Sequence, residues 1–329
     1  MTAEDSATPS STIAVGSTAD GTDRAPAPDA PGSGPVVRRA GLNGTLLAGL
    51  GVLAFSLTFP STAWGLESFG PWSLVALRSL LAAVIAGGVL LATRVRVPER
   101  RHWAGLAVVA GGVVVGFPLL TTLALRTSTT SHAAVVVGLL PLTTAVFSSL
   151  RTGSRPSRAF WTAAVAGAGV VIVFTVLQSG GTLSAGDVFL FGALLVCAAG
   201  YTEGGRLAKA MPGWQVIGWA LILTLPLAVA GTALALPYEP VRLTAHGVIG
   251  VAWVAACSTF FGLYVWYRGM AEIGVARASQ LQLAQPLLTL VWSYFLLGEE
   301  VSAAAPVAAV AVLLCIAATQ RAGRAGRER

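Results

Sequence analysis

Residues 131–157 read SHAAVVVGLLPLTTAVFSSLRTGSRPS, and residues 276–302 read ARASQLQLAQPLLTLVWSYFLLGEEVS. Laid over each other at an offset of 145, they agree at eight of 27 positions, including Pro141 with Pro286, Thr144 with Thr289, Ser148 with Ser293 and Gly153 with Gly298. Matches at Pro, Gly, Ser and Thr carry more weight than matches at Leu or Val, because any two apolar segments share the latter. Each copy is an apolar run of the length that crosses a bilayer as a helix, about 20 residues. The copies stand five runs apart. An odd number of crossings inserts them in opposite directions, which is the inverted-repeat architecture of many secondary transporters.

Working outward from this pair, ten apolar spans are expected, at roughly 42–64, 71–93, 102–125, 130–150, 159–177, 187–205, 213–236, 246–267, 275–297 and 302–320. The composition agrees: of 329 residues, 55% are hydrophobic and only 11% are charged, against about 25% charged in a soluble domain. The expected fold is an all-α integral membrane protein, with ten transmembrane helices in two inverted five-helix repeats, residues 42–177 and 187–320. Residues 1–38 are rich in Ser, Thr, Ala, Pro, Gly and Asp without apolar periodicity and are expected to be a disordered tail. Residues 321–329 form a short basic tail. Glu4, Asp5 and the lack of an apolar segment near the start argue against a cleaved signal peptide.

Charge sets the expected orientation. With the first tail cytoplasmic, 18 Lys and Arg residues fall in cytoplasmic segments and two, Arg126 and Arg242, on the other side. This bias predicts a multi-pass inner-membrane protein with both termini cytoplasmic. It also accounts for the net charge of +7 without nucleic-acid binding, since the basic residues lie in short loops and not on one folded face. Cys197, Cys257 and Cys315 sit singly inside apolar runs, so neither disulfides nor a metal site is indicated. His102, His132 and His246 are read as interfacial residues.

The stretch GMAEIGVARASQLQLAQPLLTLVWSYFLLGEE, residues 269–300, resembles the EamA-like branch of the drug/metabolite transporter superfamily in its small-residue loop, mid-helix Pro and terminal Gly-Glu. The same plan recurs in LALRTSTTSHAAVVVGLLPLTTAVFSSLRTG, residues 123–153, and PWSLVALRSLL, residues 71–81, is similar to the family's Pro-to-Arg signature on the second helix. One departure stands out: Gly153 is followed by Ser154 and Arg155, where Gly298 is followed by Glu299 and Glu300. The resemblance implies solute transport by alternating access, with a central cavity lined by both halves. It extends to exporters of amino acids and other metabolites.

Candidate site residues come from the polar content of the spans. Ser279, Gln282, Pro286, Thr289 and Ser293 recur at helical spacing on one stripe, flanked by Gln285. Amides in a bilayer are costly unless they pair or face water, so this stripe faces either a solute cavity or a packed helix. Val137, Pro141, Thr144 and Ser148 form the matching stripe. Pro141 and Pro286 each free the carbonyl four residues earlier, Val137 and Gln282, for a solute or as a pivot; the alternative is a static kink. Arg78, about seven residues into its span and so ~10 Å deep, either snorkels and pairs with Glu67 or binds a solute carboxylate. Glu203, in the sixth span, either pairs with Arg206 or serves coupling or gating. Tyr201 is placed at the inner mouth. Phe260 and Tyr264 belong either to an interfacial belt or to the cavity wall, and Gly112 and Gly116 suggest close helix packing.

The expected function is secondary transport, as export of a small organic metabolite or amino-acid-like solute. No GxxxxGK[ST] nucleotide loop is present, and no cofactor or metal is expected. Partners are a small-molecule solute, the lipid bilayer and, as a further candidate, a second copy of the chain. An intramembrane enzyme acting on a lipid or prenyl substrate would need clustered carboxylates or paired histidines, and the sequence has neither DxxxD nor HExxH. A non-transporting membrane sensor or assembly factor is a further alternative; the inverted repeat argues against it without excluding it.

Overall fold

The computed structural model describes residues 35–153, 157–178, 183–273 and 281–325, and the described residues form helices and no strand. Eight helices are long and apolar enough to cross a membrane: α1 (Asn43–Ser68), α2 (Pro71–Ala92), α3 (Arg100–Ala124), α4 (Thr130–Arg151), α5 (Arg158–Gln178), α6 (Ala185–Leu207), α7 (Gly213–Ala235) and α8 (Ala245–Gly269). Two shorter apolar helices follow, α9 (Ala284–Leu297) and α10 (Ala304–Ala325), apolar as far as Ala318. The expectation of ten full spans is thus met by eight. The ninth expected span runs back into residues 274–280, outside the described residues, and the turn at Leu283 interrupts what is left. Of the tail expected at 1–38, residues 1–34 likewise lie outside them, and residues 35–38 belong to the helix Pro35–Ser56 that leads into α1.

Helix ends follow from local chemistry. Thr129 and Thr244 cap α4 and α8 by accepting from His132 N–H and Gly247 N–H. Ser184 and Asp187 form a reciprocal capping box at the start of α6. Gly153 and Gly298, one of the matched pairs of the repeat, close α4 and α9 in the left-handed conformation, at φ 65° and 63°, where a Cβ would be strained.

Packing joins the two halves helix by helix: α2 with α7, α5 with α10, α4 with α9, α1 with α8, and α3 with α6. Small residues allow the close approaches. A Cβ on Gly112 would collide with the Val196 carbonyl, and one on Gly250 with the Ser61 carbonyl. The expected role of Gly112 in close packing is what the structure shows. Large apolar side chains face outward, among them Leu91, Val165 and Phe295, a surface suited to lipid and not to water.

The helices are interrupted where proline removes a donor. α1 breaks at Leu57, three residues before Pro60; α4 breaks at Gly138–Leu139, just before Pro141; and the turn at Leu283 precedes Pro286. α3 and α8, the third helix of each half, each contain a π-helical segment, Ala110–Gly116 and Trp253–Gly262, a feature frequent at functional sites.

Candidate functional site

The three proline-linked breaks converge. Phe59, Val137, Gly138, Pro141, Leu283 and Pro286 line one cavity between the halves, and a Cβ on Gly138 would lie 3.8 Å from the Pro286 Cβ. A second cavity adjoins it, sharing Phe59, Val137, Leu140, Gln282 and Gln285, and reaching Arg78, Tyr201, Ser258 and Thr259. The two measure about 40 and 90 Å³, room for a few waters at ~30 Å³ each.

The polar groups around this space are arranged in layers. Pro60 lacks the N–H that would reach the Ser56 carbonyl, and the Thr289 hydroxyl donates to that carbonyl at 2.8 Å instead, while also reaching Gln285 O at 3.0 Å. Trp292 Nε1 donates to Ser56 Oγ at 2.9 Å, which ties α9 to α1. Thr58 and Ser258 pair at 2.6 Å across the sequence. Arg78, 6% exposed, donates through Nη2 to Thr259 Oγ1 at 2.9 Å, and Thr259 donates in turn to the Val254 carbonyl at 2.6 Å inside the π segment of α8.

The structure therefore brings together Gln282, Gln285, Pro286, Thr289, Pro141, Tyr201 and Arg78. It leaves out Thr144, whose hydroxyl is buried without a hydrogen-bond partner and does not line either cavity. Thr144 shares a stripe with Pro141, but such a stripe is about 100° wide and here covers both cavity and packed neighbour. Ser293 is absorbed by packing, paired with Thr130 at 2.8 Å. Ser279 lies outside the described residues. Arg78 neither snorkels nor meets Glu67; Glu67 stands 3.7 Å from His246, which stacks on Trp64. Phe260 is buried in the packing of α2, α3 and α7 and Tyr264 packs edge-on to Trp214, so neither faces the cavity.

Glu203 sits apart from the cavity. Its carboxylate accepts from Arg206 Nε at 2.8 Å and from Arg151 Nη2 at 3.3 Å, clamping the end of α4 to α6, and Gly105 of α3 leaves room for it. The structural pair expected with Arg206 is present, extended by Arg151.

Two clusters escaped sequence reasoning. His132 is buried, not interfacial: its Nε2 lies 2.6 Å from Asp187 Oδ1, and its ring stacks on Phe174. Asp187 also accepts from Ser184 N–H and Oγ–H, each at 2.8 Å. At the same end of the bundle, Glu299 accepts from Thr130 N–H at 2.8 Å, Ser131 N–H at 3.0 Å and Ser131 Oγ–H at 2.9 Å. The only prior signal for Glu299 was its place in the terminal Gly-Glu; for the His–Asp contact there was none.

Two structural repeats joined helix to helix, broken helices meeting between them, and an apolar outer surface define a polytopic helical membrane protein of the transporter type. The model of the EamA-like transporter family matches residues 42–176 and again 184–319. The chain belongs to this family, within the drug/metabolite transporter superfamily, and is a membrane transporter. It is 42% identical over 282 residues to the uncharacterized transporter YdeK of Bacillus subtilis (strain 168), covering 85% of this chain and 97% of that one. A protein crystal structure matches the fold with a TM-score of 0.60 at 22% identity, over 85% of this chain and 97% of its own.

Proposed function

We propose that this protein is a secondary transporter that exports a small organic metabolite or amino-acid-like solute by alternating access. In this reading ten helices cross the membrane as two inverted halves with both termini cytoplasmic. One observation carries the proposal: the breaks of α1 and α4 and the turn before α9 meet at one cavity between the halves, mostly apolar in lining, into which Gln282, Gln285 and Thr289 bring polar groups. Irregular backbone is tolerated at membrane depth only where protein or a water-filled cavity satisfies it. Gln282 presents a side-chain amide there and, through Pro286, its released carbonyl. Pro141 is the equivalent pivot in the first half. The cavity is too small for a metabolite as it stands, so binding requires the halves to part at one end.

The test is flux from proteoliposomes loaded with a small-molecule extract of bacterial cells. Gln282→Leu removes the amide while keeping the span apolar, and Pro286→Ala restores a helix hydrogen bond. Each should leave protein abundance near normal and lower release about tenfold, the scale of one or two lost hydrogen bonds. Wild-type rates in both variants would assign this stripe to helix packing alone.

A further inference from the structure

Among the described residues Arg78 has no charged partner. Its guanidinium is buried, it lines the larger cavity, and among the described residues no carboxylate lies within ion-pair distance of it. The hydrogen bond to Thr259 uses one of its five N–H donors. No Asp or Glu lines either cavity, and Glu203 on the neighbouring stretch of α6 is held by Arg206 and Arg151. A guanidinium removed from water costs several kcal/mol unless a counter-charge and hydrogen bonds compensate, and this cost is kept in a helix facing a cavity of the transport pathway.

We infer that the solute is a small organic anion bearing a carboxylate, and that Arg78 is its anchor. The inference rests on the transport reading above. The guanidinium presents a planar fork of donors that matches a carboxylate, and Thr259, itself fixed by the Val254 carbonyl, holds one arm of the fork at the cavity that Arg78 lines. Phe55, Phe59 and Phe117 supply an apolar wall for the rest of the solute, and Gln282 with Gln285 supply neutral donors and acceptors for a hydroxyl, amide or amine. A cation without a carboxylate would meet an uncompensated positive charge in a low-dielectric space, and is excluded on the same ground.

The experiment loads proteoliposomes with a deproteinised small-molecule extract of bacterial cells and identifies the released compounds by mass spectrometry against protein-free liposomes. The expected result is release enriched in carboxylates, lowered at least about tenfold in Arg78→Gln, the lower limit for losing one charge-assisted hydrogen bond. Arg78→Lys should fall between, because it keeps the charge and loses the fork. Release of compounds that bear no carboxylate would overturn the inference while leaving transport intact, as would carboxylate release at wild-type rate in Arg78→Gln. Release no greater than from protein-free liposomes would overturn the transport reading and the inference with it. If Arg78→Gln does not purify as monodisperse protein, Arg78→Lys takes its place, and the charge class released by the wild-type protein decides by itself.

Discussion

Replacing Glu299 tests how the start of α4 is held. The first four N–H groups of a helix, counted from the N-cap, have no partner within it, and three of them are accounted for here: Thr130 and Ser131 N–H go to the Glu299 carboxylate and His132 N–H to Thr129 Oγ1, while Ala133 N–H begins the helical ladder on the Thr129 carbonyl. Thr130 and Ser131 are 1% and 4% exposed, so water cannot readily replace the carboxylate. A buried donor left unsatisfied costs about 1–3 kcal/mol, and Glu299→Ala orphans two. The expected loss is therefore about 2–6 kcal/mol, with the dipole of α4 contributing a few tenths more. Glu299→Gln keeps one acceptor oxygen in the same place and should cost about 1–2 kcal/mol. The assay is reversible unfolding of purified protein in mixed micelles with increasing denaturing detergent, followed by the loss of helical signal. A loss under about 0.5 kcal/mol in Glu299→Ala would refute the accounting. Equal losses in the two variants would show that the oxygen kept in Glu299→Gln contributes nothing and that the clamp rests on the second oxygen and the charge.

Asp187→Ala should destabilise by about 3–5 kcal/mol in the same assay, the scale for breaking a buried pair from one side. A double-mutant cycle with His132→Ala should give a coupling above about 1 kcal/mol, and additive effects would show that the 2.6 Å contact contributes no net energy. For topology, single cysteines at Tyr238, 87% exposed, and at Lys209, also exposed, in a background lacking the three native cysteines should label oppositely with an impermeant thiol reagent. Tyr238→Cys should react in intact cells and Lys209→Cys only after lysis, and the reverse pattern would invert the proposed orientation. Ser68, the last residue of α1, is a poor reporter because it is 1% exposed and bonded to Thr244.

The apolar spans, the repeat and most of the cavity were legible because each rests on a local regularity. Run length reports a bilayer crossing, and a proline reports a missing backbone donor whatever surrounds it. Gln282, Pro286 and Pro141 were placed on that basis, and the structure brings them to one cavity. The failures are of another kind. Arg78 meets Thr259 and Thr58 meets Ser258 across separations of 181 and 200 residues, and no local pattern encodes such a partner. The prospect of Arg78 pairing with Glu67 followed from proximity along the chain, whereas the guanidinium turns inward to α8. His132 looked interfacial because it lies near the start of its span, yet the Asp187 carboxylate makes burial there affordable. Thr144 had the right spacing, but its hydroxyl is buried in packing and it lines neither cavity.

The polar clusters away from the cavity share a placement that bears on how the halves could move. Glu299 joins the end of α9 to the start of α4, and Glu203 joins the other end of α4 to α6. Both clamps therefore hold α4, the helix broken at Gly138–Leu139 between them. Their strengths differ. Glu299 reaches buried backbone donors, while Arg151 and Arg206 are 64% and 52% exposed, so their bonds to Glu203 compete with water and are screened by salt. Within the alternating-access proposal, the Glu203 end is the one that costs less to open, and the break at Gly138–Leu139 lets that half of α4 swing while Glu299 keeps the other half in place. The absence of a Glu after Gly153 has a physical consequence in this scheme. The first repeat closes α4 with its left-handed glycine but carries no carboxylate at the position that Glu299 fills in the second, so the two ends of the bundle are not equally fastened even though the fold is repeated.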